Sequence, residues 1–260
     1  LFKSDKNEIV NAFNIKKQKV LYLVLSFDDT HYLNKKCANL LDKYNLRGTF
    51  YYDVARISNF MVEDIRWISE RHEVGSHGMT HRDLTKLTFE ELMYECGKSK
   101  ESLEKLIGKP VNSFAYPYGF FNEKVRKVVM DCGYLNARTF MLGNTDIDDN
   151  TFALRVTLGA TSYGYRKIPF FVKSVDIYEL LYNPWLIRRW DKLVDKILKK
   201  LLSESKEKGK KKILHIVFHA DFIELKNEWD KLEEVLSIFS SSTNTKNLTV
   251  SEYAKILRRN

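Results

Sequence analysis

The chain has 260 residues, 44% of them hydrophobic and 13% aromatic, enough for a sizeable core and too apolar for disorder as the main state. It contains no apolar run of 18 residues, so no membrane span is expected. The net charge of +9 is concentrated in residues 186–212, where eleven Lys/Arg face four Asp/Glu. It reads as the solvated face of one helix rather than a nucleic-acid footprint, with attraction to an anionic surface the lesser alternative.

Strand-like and helix-like runs alternate along the chain. "VLYLVLSF" (20–27) is a buried strand ending in two adjacent carboxylates, Asp28 and Asp29, and a helical stretch follows near 31–45. "GTFYY" (48–52) precedes a helix over 62–71, and "EVGSHG" (73–78) precedes a long helix over 87–108. "NSFAYPYG" (112–119) leads into a helix over 122–133 with Gly133 placed to cap its C-terminus. "YLNARTF" (134–140) and "ALRVTL" (153–158) read as strands. A basic amphipathic helix over 186–204, strand "KILHIVF" (212–218), and helices over 228–239 and 249–259 complete the chain, with polar "SSSTNTKN" (240–247) as a connector. Repeated β-then-α units imply an α/β fold of parallel strands with right-handed crossovers, either a barrel or an open sheet. We expect one domain over 1–260 with a helical basic insertion near 165–212.

Cys37, Cys96 and Cys132 are odd in number and form no CxxC pair, so reduced thiols are expected. The first residue is Leu rather than Met. A preceding signal would make the protein extracellular or cell-surface; otherwise the expectation is cytoplasmic.

Polar residues recur at successive strand ends: Asp28/Asp29, His77, "YPYG" and His219. In a barrel this is where chemistry is carried. Two adjacent carboxylates repel unless a cation is near or one stays protonated. His77 and His81, four residues apart, can converge from a helical turn or from a tight loop. Two histidines and one carboxylate leave coordination positions open, as at a catalytic metal. Zn²⁺ suits the set best; Co²⁺, Ni²⁺ and Mn²⁺ are compatible. One aspartate would bind the ion and the other take a proton from its water, a hydrolytic arrangement.

At this point the residues resemble the carbohydrate-esterase family 4, or NodB-homology, polysaccharide deacetylases. "SFDDT" is similar to that family's T-F-D-D-G, "HGMTH" to H-[ST]-x-x-H, "AYPYG" to R-x-P-[FY], and "IVFHAD" to its late strand ending in histidine. The resemblance implies a distorted (β/α) barrel of about seven parallel strands binding one divalent metal. It implies Asp28 as general base and Asp29, His77 and His81 as metal ligands. It further implies the Tyr118 backbone N–H as an oxyanion donor and His219 as the acid that protonates the leaving amine. The implied substrate is an N-acetylated sugar polymer or oligosaccharide, and some members cleave other amides. Amide hydrolysis needs these three roles because an amine anion is too poor a leaving group to depart unprotonated.

Departures are specific. Ala115 stands where the motif has Arg, Thr30 where it has Gly, and Gly78 where it has Ser or Thr. The Asp-x-x-Asp-Trp motif has only an echo in Asp146, Asp149 and Asn150. Arg155 is the expected source of the missing guanidinium, with Arg138 the second candidate. His215 shares its strand parity with His219 and is expected to be a packed core residue. Tyr52, Phe60, Tyr163 and Phe171 are candidate sugar platforms. The alternatives are a hydrolase of a small amide, and an impaired barrel that binds glycans or a partner.

Overall fold

The computed structural model describes residues 21–160 and 189–259. Val20, Tyr163, Phe171 and the part of the basic segment before residue 189 lie outside the described residues. Among the described residues, eight strands form one sheet: β1 (Leu21–Asp28), β2 (Thr49–Tyr52), β3 (Glu73–Ser76), β4 (Ser113–Ala115), β5 (Asn136–Arg138), β6 (Leu158–Ala160), β7 (Lys212–His219) and β8 (Thr245–Leu248). Seven of them run in the order β5-β4-β3-β2-β1-β7-β6, all pairings being parallel. They curl into a distorted barrel, as expected.

β1 is central and wholly buried, which explains its near-continuous apolar run. Alternation sorts its side chains: Leu21, Leu23, Leu25 and Phe27 join the layer beneath the helices, whereas Val24 faces the barrel interior with Tyr51, Ala115 and Leu154. Phe27 stacks on Phe50 and Phe218 at centroid distances of 4.6 and 5.0 Å, fixing β1 between its neighbours.

The covering helices are α1 (Asn34–Lys43), α2 (Val62–Arg71), α3 (Phe89–Met93), α4 (Ser99–Ile107), α5 (Glu123–Asp131), α6 (Trp190–Lys208), α7 (Ala220–Leu225), α8 (Trp229–Ser241) and α9 (Val250–Leu257). α1 shows the rule they follow: Asn34, Cys37, Ala38 and Leu41 are buried, one face at helical spacing. Capping boxes at Thr88/Glu91 and Thr249/Glu252 start α3 and α9, each worth about 1 kcal/mol. Gly133, at φ +80°, follows α5 in the left-handed conformation expected of its cap.

Two expectations change. Within 153–158 only Leu158 belongs to a strand; Leu154 makes an isolated bridge to Arg138. Residues 139–157 instead carry backbone bonding across the gap between β5 and β6, with Thr139 N–H donating to Leu154 and Thr157 N–H to His215 (2.8 Å each). The polar connector 240–247 hides β8, which pairs with β1 below the point where β2 begins. α6 packs against β7 and α8. It is the crossover before β7, burying Trp190, Leu193, Val194, Ile197, Leu198 and Leu201, each contributing roughly 1.5–3 kcal/mol. Some of its lysine charge is paired, Lys199 with Asp195 at 2.6 Å. No helix of the described residues is long and apolar enough to cross a membrane, and all three cysteines are free.

Candidate active site

β1 and β7 pair Asp28 directly opposite His219, so both side chains emerge at the same end of the barrel. Asp28 continues the strand's alternation into the interior. Asp29 would point the other way, but its φ of +69° turns the backbone and swings the carboxylate back toward the same site. The turn is braced on both sides. Asn34 Nδ2 donates to the Asp29 carbonyl (2.9 Å). Thr30 donates through its N–H and its hydroxyl to Asp53 (2.8 Å each), which gives a reason for threonine where the motif has glycine.

His77 and His81 come from a tight loop, not a helical turn. Gly78 at φ +87° and His81 at φ +58° reverse the chain between them. Their Nε2 atoms lie 3.8 and 3.4 Å from Asp29 Oδ1, and the three residues form the one metal-capable cluster among the described residues. Ligand atoms about 2.0–2.2 Å from a tetrahedral ion stand about 3.3–3.6 Å apart, close to these separations. Asp29 Oδ1 is buried without a hydrogen-bond partner, a costly condition that a cation would relieve. His77 Nδ1–H donates to the Ala115 carbonyl (2.8 Å), leaving Nε2 unprotonated toward Asp29 in the tautomer that ligates metals. Burial holds the His77 imidazole below its ordinary pKa, again the neutral ligand form. The residues fit a divalent ion.

The partner of Asp28 is Arg138. Ala115 and Arg138 are register partners on β4 and β5, so the guanidinium reaches the interior from the next strand over. Arg138 Nη2 donates to Asp28 Oδ1, and both side chains are almost fully enclosed. Burial pushes the Asp28 carboxyl up. The Arg138 guanidinium, with His77 and His219, outweighs burial and holds it below the usual carboxylate range. Arg155, the expected source, is instead bound through Nε to Asp148 Oδ1 at 2.8 Å, and its side chain is 37% exposed. It follows β5's bridge at Leu154 and turns away from the interior, so that expectation is corrected.

His219 Nε2 lies 4.0 Å from Asp29 Oδ2, with the rings of Phe140 and Phe222 beside it. Tyr118 sits in the short turn Pro117–Gly119 at φ +59°, its ring edge-on to His81 at 4.7 Å. Gly119 is required there: a Cβ would come within 2.5 Å of the Phe140 backbone nitrogen. His215 is fully buried, its Nε2 3.0 Å from Ser26 Oγ, and is the packed residue expected. Of the candidate platforms, Phe60 is exposed and Tyr52 buried.

Three residues escaped the sequence reading. Asp148, rather than Asp146 or Asp149, is the buried acid of its stretch, held by Arg155, Tyr253 and Asn144. Glu95 and Asp53 brace the loops around the site from a distance in sequence; no local motif marks either.

Residues 15–137 match the family model described as polysaccharide deacetylase. Peptidoglycan-N-acetylmuramic acid deacetylase PdaA of Bacillus subtilis is 29% identical over 124 residues, 45% of this chain and 45% of that protein. A peptidoglycan-N-acetylglucosamine deacetylase of Bacillus cereus is 30% identical over 128 residues, 48% of this chain and 46% of that one. The chain thus spans less than half the length of these relatives. Among solved structures, a candidate polysaccharide deacetylase from Mycobacterium smegmatis superposes with a TM-score of 0.66 at 16% identity, covering 93% of this chain and 91% of that one. A family 4 acetyl xylan esterase from Clostridium thermocellum, in complex with a cobalt ion, gives 0.57 at 15% identity, covering 90% and 91%. These likenesses show the shared fold. Four motifs, their convergence at one end of the barrel and a polysaccharide deacetylase model matching residues 15–137 agree, and over that stretch the chain is similar to the polysaccharide deacetylases.

Proposed function

We propose that the chain is a metal-dependent hydrolase that removes N-acetyl groups from an amino-sugar polymer or oligosaccharide. The observation that carries this reading is the orphaned Asp29 Oδ1 facing two imidazoles, beside a second carboxylate already paired to arginine. Asp29, His77 and His81 would hold the ion, Zn²⁺ by ligand type. Bound there, a divalent ion acts as a Lewis acid toward the amide carbonyl and makes a water more acidic.

The chain's own groups supply the rest. Asp28, kept ionised by Arg138, accepts a proton from the attacking water. A C–O bond forms, and the Tyr118 N–H donates to the developing oxyanion. His219 delivers a proton to the departing nitrogen as the C–N bond breaks. The products are acetate and a free amine. Arg138 removes the motive for an impaired barrel, because the function lost at Ala115 has a physical replacement. The glycans in the relatives' names, peptidoglycan and chitin, support the substrate class.

The test is acetate release from N-acetylglucosamine oligomers and from peptidoglycan, with and without chelator. Release that stops with chelator, returns with Zn²⁺ or Co²⁺, and is absent in Asp29→Asn is the expected result. Release indifferent to chelator and to Asp29→Asn would overturn the metal-dependent mechanism.

A further inference from the structure

The loop that joins the two histidine ligands has little means of holding its own shape. Its left-handed residues, Gly78 and His81, interrupt any helical hydrogen bonding, so its backbone groups must be satisfied from outside. Its carbonyls are met by the segment after β2: Val54 N–H donates to Gly78 (3.2 Å) and Ala55 N–H to Met79 (2.8 Å). The Gly78 N–H donates to Ser76 Oγ at 3.2 Å. The two remaining N–H groups between the histidines, those of Met79 and Thr80, both donate to Glu95 Oε2, at 2.8 and 2.9 Å. The Thr80 hydroxyl donates to the other oxygen, Oε1. One carboxylate therefore accepts from two consecutive backbone groups and a hydroxyl, all between His77 and His81.

Glu95 is 1% exposed, and among the described residues no lysine or arginine pairs with it. A buried carboxylate without a cation is expensive unless hydrogen bonds surround it, and here the ligand loop supplies them. Its placement is also unusual. Glu95 lies in a π-helical turn, Tyr94–Lys98, between α3 and α4, a local widening that re-aims side chains and is frequent at functional sites. The first residue of α4, next to that turn, is tied to β3, Ser76 Oγ donating to Ser99 Oγ (2.8 Å), and the turn itself to the segment before β5, Tyr134 Oη donating to the Cys96 carbonyl (2.9 Å). Residue 78 completes the logic. A Cβ on Gly78 would stand 3.0 Å from Glu95 Oε2, so a side chain there, as in the family motif, would crowd the carboxylate. Glycine at 78 and the Glu95 clamp go together.

We infer that Glu95 is a positioning residue for metal binding, fixing the spacing of His77 and His81 through the backbone between them. This rests on the proposed metal reading. The test is titration of the metal-free protein with Zn²⁺ by calorimetry and with Co²⁺ by its visible absorption, alongside circular dichroism. Glu95→Ala leaves two N–H groups without an acceptor and should weaken affinity about 10–100-fold. Glu95→Gln keeps an oxygen for both N–H groups and an amide that can donate to the Thr80 hydroxyl, and should restore affinity close to wild type. A folded Glu95→Ala that binds as wild type does, with an unchanged Co²⁺ spectrum, would overturn the inference alone. A wild-type chain that takes up neither metal would overturn the metal reading, and this inference with it. Should Glu95→Ala fail to fold, Thr80→Val removes only the hydroxyl contact: weakened binding supports the clamp, and unchanged binding overturns it.

Discussion

The Arg138–Asp28 pair offers the sharpest test of how this site works. Replacing Arg138 by Met keeps the stem and removes the charge. Both side chains are nearly sealed from water, 1% and 5% exposed, so the carboxylate left behind cannot be rescued by solvent. Breaking such a pair from one side costs about 3–5 kcal/mol unless Asp28 takes up a proton instead. Burial is the largest influence on Asp28, and it raises the pKa; Arg138 is the first of the groups opposing it. Without Arg138 the pKa moves up, and at neutral pH the proposed base is increasingly protonated. Loss of a general base costs about 10²–10⁴ in rate, so kcat for acetate release should fall within that range. The acid limb of the kcat/KM profile should move to higher pH. Urea titration of the same variant separates this from unfolding. The register adds a rescue: because Ala115 sits opposite Arg138, the double variant Ala115→Arg/Arg138→Ala returns a guanidinium from the neighbouring strand. It should recover at least part of the rate lost in Arg138→Ala. Arg155→Ala, measured beside it, should leave kcat near wild type, since Arg155 serves Asp148. An Arg138→Met enzyme of wild-type rate, or an Arg155→Ala enzyme as slow as it, would refute this account.

Two further outcomes follow from the barrel interior. His215 is buried and its pKa is lowered to about 3, mainly by burial and then by the nearby Arg138. A folded-state pKa depressed from 6.5 gives stability that is fully present above pH 6.5 and lost as the pH falls toward 3. Between pH 7 and pH 5 the loss should be about 2 kcal/mol, read as the slope of unfolding free energy against pH. His215→Gln should flatten that slope, and an unchanged slope would show that another group sets it. His219 is tested by leaving group: His219→Ala should cost about 10²–10⁴ on an N-acetyl amide but much less on an acetyl ester of an acidic phenol, which departs without a proton. Equal losses on the two substrates would rule out the acid role.

The parts of the fold visible in the sequence are those set by burial on both faces of a strand or by one face of a helix. β1 and β7 are legible because a parallel strand at the centre of a sheet reads as a continuous apolar run. α1 and α5 are legible from their spacing. β8 is not: it pairs with only half of β1, and its pattern, Thr245–Leu248, is mostly polar. The run 153–158 reads as strand because Leu154, Val156 and Leu158 are buried, yet its bonding is shared between β5 and β7. In the site, the four motifs marked every residue that converges on Asp29. Arg138 was harder to choose because register, not sequence distance, decides which guanidinium reaches Asp28. Glu95 and Asp53 were invisible because each acts on the backbone of a loop distant in sequence.

The site's backbone explains how two adjacent acids can coexist there. Five non-glycine residues among those described have positive φ: Asp29, Asn45, His81, Tyr118 and Asn227. Three of the five belong to the candidate site; Asp29 and His81 are of types that enter this region more readily than most, whereas Tyr118 is not. Such a conformation costs of order 1–3 kcal/mol per residue and persists only where surroundings over-determine it. Here the surroundings are named: Asn34 and the Thr30–Asp53 contacts around Asp29, Glu95 behind the His77–His81 loop, and Phe140 packed on the turn that holds Tyr118. The strain does mechanical work on the charges. By turning at Asp29, the chain sends Asp28 to a guanidinium in the interior and Asp29 to two imidazoles at the rim. Consecutive carboxylates thereby acquire separate partners, Asp28 the Arg138 guanidinium and Asp29 the imidazoles with which it would hold the proposed cation.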